Sequence, residues 1–404
     1  MKKIVLIALN TTMSVAVVAL AFAYAQAGTW KSIKLPQDNE RVTGMYCASA
    51  KACVIATSVF GGAGHLYASD GQKITATLLT GDAKLAEKLG TLGEIGFTGL
   101  SKVRDKLIAL VDGAGASFVS ATGDFTKAAS WTTVKIGVLD GGETFGLNQQ
   151  MGIGEKDGRW VLFNSRETYD TTDAPSPGAL WSPLWSPVPP GSVPSNFENL
   201  LKADPRLCDS DPGVSISPHL TQPAYVAPDL SVILYPSGAR NQRGTQTAGV
   251  CLSTDGGKRY YRIVFKGIED GAGPLGVTCT NSKRCYAYGG LNPEPESGFI
   301  FLTNDAQKGA DSSWIKAKLP TLRENTIFYH MFFAPDGMNG WAVGKTGSSS
   351  ALLFASTDGG ATWKDSTSSI RALASDSRLH SGYAFDASHL WVGGEKGTLL
   401  TFGY

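Results

Sequence analysis

Two carboxylates stand in matching settings. Asp358 lies in Ser356-Thr357-Asp358-Gly359-Gly360-Ala361-Thr362-Trp363, and Asp255 in Ser253-Thr254-Asp255-Gly256-Gly257-Lys258-Arg259-Tyr260. Carboxylates held at a fixed register are what acid–base chemistry needs, and a facing pair would suit glycoside hydrolysis. Their neighbours argue for a turn instead. Paired glycines tolerate positive φ, and Asp and Ser side chains accept hydrogen bonds from turn amides. Asp255, Gly257, Asp358 and Gly360 are therefore read as structural turn residues. Trp363 anchors the strand that follows, with Tyr260 in its place in the other copy. No residue is assigned a catalytic role. His330 and His380 each fall six residues before an aspartate, Asp336 and Asp386. That spacing predicts one register on neighbouring units, where two histidines would face a metal or anion, or simply pack as structural side chains. Trp181 and Trp185 flank Ser182-Pro183-Leu184 and offer faces for a sugar or a protein partner. Trp181 is the apolar anchor of its unit, like Trp314. Trp185 has no repeat counterpart, so it is the binding candidate, with His330 and His380 beside it.

The elements that position these residues are hairpins. Ala351-Leu352-Leu353-Phe354-Ala355 supplies a strand, the Asp-Gly-Gly core a turn, and Trp363 opens the returning strand. A degenerate third copy runs from Thr303-Asn304-Asp305 to Trp314 after an insertion. Recurrence at fixed spacing marks an internal repeat. Each unit reads as an aromatic opening strand, a variable loop, an apolar strand, a short turn, a strand ending in Gly, and a strand into the Asp turn. Units open at Trp30, Lys73, Trp131, Trp181, Lys258, Trp314 and Trp363, which makes seven. The last stops after Gly397-Thr398-Leu399-Leu400-Thr401-Phe402, where the next Asp turn would begin, while Gly28-Thr29-Trp30 supplies a spare strand at the start. Joining the two removes open sheet edges. The predicted fold is all-β: a seven-bladed β-propeller with Asp turns, its ring closed by N- and C-terminal strands.

The first 27 residues hold a basic start, an apolar run from Ile4 to Ala23 and the small-residue pattern Ala25-Gln26-Ala27. This reads as a signal peptide over 1–27, leaving 28–404 as a single propeller domain and no membrane-spanning segment once it is cleaved. Cleavage takes Lys2 and Lys3 from the 36 Lys and Arg and none of the 35 Asp and Glu. A near-neutral chain without basic clusters argues against nucleic acid as a partner. Six cysteines in an exported chain point to disulfides. Cys47 and Cys53 share their separation with Cys279 and Cys285, each pair around a polar turn, which predicts two equivalent hairpin bridges and leaves Cys208 to Cys251. No His or second Cys pair lies near enough to favour a metal site, and no cofactor motif, nucleophile elbow or phosphate-cradling loop is present. From about 173 to 236 the fourth unit is an excursion dense in proline, which central strands exclude.

The stretch Ser356 to Trp363 resembles the Asp-box, also called the BNR repeat. Its coupling to Gly340-Trp341-Ala342-Val343-Gly344 resembles the photosystem II stability/assembly factor-like propellers. The resemblance is strongest from Lys258 to Tyr404. It implies an exported, seven-bladed, non-enzymatic protein, of a family whose founding members in phototrophs assist assembly of a membrane complex. The proline-rich fourth unit departs from that pattern, and no arginine-rich face is evident. Asp-boxes also occur in sialidases, other glycosidases and sorting receptors. A sialidase would carry a set of arginines and an early Arg-Ile/Leu-Pro, but Arg262-Ile263 is followed by Val264. The expectation is a monomeric protein-binding or assembly-assisting module, periplasmic, cell-surface or secreted, whose partner is an envelope or extracellular protein or a glycan. Its rivals are a glycan-binding protein or glycoside hydrolase or lyase of the Asp-box class, and a structural surface protein.

Overall fold

The computed structural model describes residues 28–59, 62–89, 93–111, 118–134, 148–156, 159–166, 184–185, 201–202, 224–240, 246–256, 260–268, 273–290, 298–347, 350–374 and 376–404. The apolar run of residues 1–27, Trp181, Cys208, Gly257 and most of the proline-rich excursion lie outside them.

Strand β1 (Trp30–Ser32) is followed by an antiparallel meander of β2 (Arg41–Ser49), β3 (Ala52–Ser58), β4 (His65–Ser69) and β5 (Ile74–Thr80). A short helix, α1 (Ala83–Leu89), leads to a second four-stranded sheet of β6 (Phe97–Val103), β7 (Lys106–Val111), β8 (Phe118–Thr122) and β9 (Trp131–Val134). Then come the pair β10 (Asn148–Lys156) and β11 (Arg159–Arg166), and the two-residue ladder β12 (Leu184–Trp185) and β13 (Leu201–Lys202). A third meander holds β14 (Tyr225–Val226), β15 (Ile233–Arg240), β16 (Gln246–Ser253) and β17 (Tyr261–Val264). A fourth holds β18 (Gly273–Cys279), β19 (Cys285–Gly290), β20 (Phe299–Thr303) and β21 (Ile315–Lys316). A fifth holds β22 (Ile327–Phe333), β23 (Gly340–Thr346), β24 (Ser350–Ser356) and β25 (Lys364–Asp365). The last sheet joins β26 (Leu379–Asp386), β27 (His389–Gly394) and β28 (Leu399–Phe402) to β1, with Trp30 opposite Phe402 and Ser32 opposite Leu400.

Each sheet is covered on both faces, so its second strand is a nearly unbroken buried run. All of β19 and β23 is buried, and all of β27 except its first residue. The apolar clusters lie between neighbours. Val54, Leu66 and Leu78 of the first meander pack with Phe97, Leu107 and Trp131 of the next. Trp341, Val343 and Leu353 pack with Leu379, Leu390 and Val392. The first strands touch in sequence: β2 with β6, β6 with β10, β10 with β14, β14 with β18, β18 with β22, β22 with β26, and β26 with β2.

Three features differ from the sequence reading. Helix α1 fills one variable loop; Asp82 accepts hydrogen bonds from the amides of Lys84 and Leu85 at its start, and Leu85, Ala86 and Leu89 turn inward. Two prolines of the fourth unit stand in or beside regular structure. Pro228 sits in the turn after β14, and Pro236 lies within β15 opposite Val250, beyond the reach of the short β14, where a missing N–H is tolerated. The first strands also carry an extra residue that breaks the pairing register. It is Thr43 in β2, Thr98 in β6, Met151 in β10, Leu275 in β18, Tyr329 in β22 and His380 in β26. Such bulges bend and twist a strand.

Candidate functional site

The two ends of the sheets have different chemistry. Third strands run parallel to first strands, so the Asp turns lie at the end where first strands finish. There Asp358 Oδ1 accepts hydrogen bonds from Ser356 Oγ (2.8 Å) and the Thr362 amide (2.9 Å), and Oδ2 accepts one from Thr362 Oγ1 (2.6 Å). Burial acts to raise this carboxyl, but those bonds outweigh it and hold it below the usual carboxylate range. Ser356 Oγ accepts from the Gly360 amide, and Trp363 Nε1 donates to the Gly360 carbonyl. Gly360 has φ +80°, and a Cβ there would meet Tyr286 at 2.7 Å. Tyr286 of the preceding sheet donates to the Gly359 carbonyl, so the turn also fastens two sheets together. Asp255 accepts from Ser253 Oγ. Asp305 accepts from Thr303 Oγ1 and the Ser313 amide despite the inserted 3-10 turn, Ala306–Asp311. Disulfides Cys47–Cys53 and Cys279–Cys285 join directly opposed residues at this same end, with Cα atoms 4.0 Å apart in each. Cys251 is also disulfide-bonded.

The other end, where first strands begin and second strands finish, gathers charge. Arg41 and Arg378 occupy one repeat position, two residues before the bulges at Thr43 and His380. Lys345 and Glu395 share the position opposite it on the second strands: Lys345 pairs with Ile327, and the Glu395 amide bonds the Arg378 carbonyl. His380 is 3 % exposed and donates from Nε2 to Glu395 Oε1 at 3.0 Å. That bond holds the Glu395 carboxyl below its usual range, and burial pushes His380 down despite it. Arg378 Nε stands 4.0 Å from Glu395 Oε2. Burial also depresses the Lys345 ammonium, and the nearby Arg378 adds to this while Glu395 opposes it.

The predicted histidine pair does not share a register. His380 is the bulge residue of β26, and its counterpart in β22 is Tyr329, on which it stacks with ring centroids 4.8 Å apart. His330 sits one step further along, its Nε2 donating to the Gly382 carbonyl at 3.2 Å and its Nδ1 buried without a partner. Asp336 lies two residues into its turn, beyond the bonded Ala334 and Asn339, whereas Asp386 itself pairs with His389; a second bulge in β26, at Phe385, makes up only one of the two, so the counts differ by one. Trp185 pairs through its backbone with Leu201.

Beside the mouth, Glu40 is fully buried and accepts hydrogen bonds from Thr57 Oγ1 (2.9 Å), from Tyr67 on both oxygens (3.0 and 3.1 Å) and from His65 Nδ1 (2.5 Å). Burial and the Glu40 charge raise the Tyr67 hydroxyl above its ordinary value. This knot fixes the start of β2, and so the neighbouring Arg41. Among the described residues no group of three or more His, Cys, Asp or Glu is placed to hold a metal ion.

No protein-family model matches the chain. No curated protein matches it either. Solved structures do. One titled YCF48 bound to D1 peptide aligns at a TM-score of 0.52 and 13 % identity over 94 % of this chain and 98 % of that one. YCF48 from Cyanidioschyzon merolae aligns at 0.54 and 12 %, over 93 % and 98 %. The Hadza microbial sialidase Hz136 aligns at 0.50 and 12 %, over 88 % and 73 %. At such identities the likeness is one of fold: the chain is a β-propeller.

Proposed function

We propose that the chain is an exported, seven-bladed propeller that binds an envelope or extracellular protein at its charged mouth and catalyses no reaction. The circuit of touching first strands and the pairing of β1 with β28 support seven blades in a closed ring. The disulfides suit an oxidising compartment, and no helix among the described residues is long and apolar enough to cross a membrane. Cleavage after residue 27 and a monomeric state belong to the same reading.

One observation carries the binding role. Arg41 and Arg378 recur at one repeat position on a single mouth, next to Lys345. Arg41 has no ion pair among the described residues, and Arg378 has only the distant Glu395. Cations left unneutralised on a concave surface steer and hold an acidic partner. The YCF48 structure with its D1 peptide supplies a precedent for peptide binding on this fold. Against a glycosidase, Asp358 and Asp255 are engaged in turns at the opposite end. The excursion at about 173–236, with Trp185, is the second contact surface of this proposal, since nothing in the repeat requires it.

The test is capture from envelope extract by the disulfide-intact chain. It is set beside Arg41→Ala/Arg378→Ala, Trp185→Ala, and a variant with residues 196–207 replaced by a Gly-Ser linker. Loss of a true interface anchor weakens binding by about 2 kcal/mol or more while the melt is unchanged. If every variant recovers the wild-type partners at wild-type affinity, neither surface binds them. Turnover of a sialoside or envelope glycan would replace this reading with the hydrolase.

A further inference from the structure

We propose that the seam between β22 and β26 is an acid-operated joint, locked by His330 at neutral pH and loosened when that ring takes a second proton. First strands of neighbouring sheets touch but do not pair through their backbones, so side chains bridge them. Three of the bridges come from hydroxyl groups. Thr43 Oγ1 of β2 donates to the Phe97 carbonyl of β6 (2.6 Å), Ser101 Oγ of β6 to Ile153 of β10 (3.5 Å), and Ser381 Oγ of β26 to Val42 of β2 (2.9 Å). Between β22 and β26 the donor is an imidazole: His330 Nε2 reaches the Gly382 carbonyl at 3.2 Å. An aliphatic hydroxyl keeps one state throughout the range in which proteins fold, whereas an imidazole changes charge inside it. Of these four bridges, only this one answers to pH.

The joint is tight. A Cβ at Gly382 would lie 1.9 Å from the Phe332 ring, so the two strands meet there with no room for a side chain. His330 stacks on Phe332, and His380 stacks on Tyr329 across the same seam. A carbonyl only accepts, so the neutral His330 ring carries its proton on Nε2, and Nδ1 is a bare acceptor, buried and without a partner among the described residues. A second proton would place an N–H and a positive charge where no described residue accepts them. The groups facing the pair give no relief. His380 opposes a charge on His330, and Arg378 from β26 and Arg41 from β2 oppose one on His380. Glu395, just after β27, is already bonded by His380 Nε2, and Lys345 of β23 adds a cation on which Arg378 and Glu395 act. Parting β22 from β26 gives Nδ1 water to bond, while the packing of Trp341 and Val343 with Leu390 and Val392 keeps the two sheets together. Arg378 stands two residues before the His380 bulge, so a shift of β26 carries the charged mouth with it.

This inference goes beyond the protein-binding reading and is tested apart from it. Burial holds the second proton off His330 until about 4, against 6.5 for an open ring, so the advantage of the closed joint is complete above 6.5 and is lost as the pH falls towards 4. Opening is then about thirtyfold easier at pH 5.0 than at pH 7.5. Hydrogen exchange of the disulfide-intact chain, read by mass spectrometry at both pH values and corrected for the intrinsic rate, measures this. Protection in β22 and β26 should fall about thirtyfold or more, while β7 and β19 change by less than about threefold. His330→Gln keeps an amide to bridge Gly382 but cannot titrate. It should match wild type at pH 7.5 within about threefold and show a fall about thirtyfold smaller at pH 5.0. Should that variant fail to fold, the wild-type chain followed through the range must lose protection in β26 by about tenfold or more per pH unit below 6.5. Unchanged protection, a fall shared equally by β7 and β19, a shallower slope, or the wild-type fall in His330→Gln overturns the proposal. Capture of an envelope protein plays no part in any of these results and stands or falls on the extract experiment.

Discussion

His330 makes stability depend on pH in a calculable way. Its imidazole is buried, with Nε2 donating to the Gly382 carbonyl, Nδ1 unpartnered and the ring stacked on Phe332. Burial lowers its pKa from 6.5 to about 4; the bond to Gly382 works against this and the neighbouring His380 with it. In the unfolded chain the group takes up a proton near 6.5, whereas the fold withholds it until about 4. Between those values the unfolded state binds more protons, so stability rises with pH. The contribution is complete above 6.5 and is lost as the pH falls towards 4. At about 1.4 kcal/mol per unit the loss comes to about 3 kcal/mol. Guanidinium unfolding at several pH values from 7 to 4, on wild type and His330→Gln, isolates the group, since the other titrating residues are common to both. The two curves should diverge by about 1.4 kcal/mol per pH unit across the window. The chain has only five histidines, so the His330 ring can also be followed directly by NMR. Parallel curves, or a His330 resonance titrating near 6.5, would refute the reasoning.

Trp363→Ala should destabilise the chain by about 3–5 kcal/mol in the same unfolding assay, because the indole is buried and its Nε1 bonds the Gly360 carbonyl. Deleting residues 28–35 should cost about 3–6 kcal/mol through Ile33 and Leu35 alone, besides leaving β28 unpaired; an unchanged melt would reject closure by β1. Peptide mapping without reduction should find Cys47–Cys53, Cys279–Cys285 and Cys208–Cys251. A Cys47–Cys279 peptide would rule out the hairpin assignment.

What could be read from the chain was whatever is local and repeated. The Asp358 hairpin announces itself through Asp, Gly and Trp at fixed spacing. Even the degenerate copy at Asp305 was legible, because the Ser313 amide still reaches its carboxylate. The charged mouth was not. Lys345 reads as an ordinary lysine near the end of a strand, yet the folded chain leaves little of it exposed. Glu40, His65 and Tyr67 stand on separate elements and meet only through the pairing of β3 with β4. The histidine register failed because turn length and bulges leave no mark in composition: Asp336 stands two residues deeper in its turn than Asp386, and the bulge at Phe385 restores only one of them. A signal did exist for Arg41 and Arg378, since each stands two residues before the bulge of a first strand, but it emerges only when units are aligned on their bulges.

The pairing of β1 with β28 has a bearing on how the chain comes to be folded. Lys31 donates to the Tyr404 carbonyl, a contact that spans 373 residues of sequence. Strand β1 therefore waits for β28. The meanders between them are local and can form as they emerge, but the final sheet cannot be completed from any incomplete chain. Until β28 is available β1 is an unpaired ribbon beside exposed Ile33 and Leu35, open to any strand of a neighbouring unfolded chain. A product that stops short of β28 keeps that ribbon open, so Leu399 to Phe402 is the stretch that closes this edge.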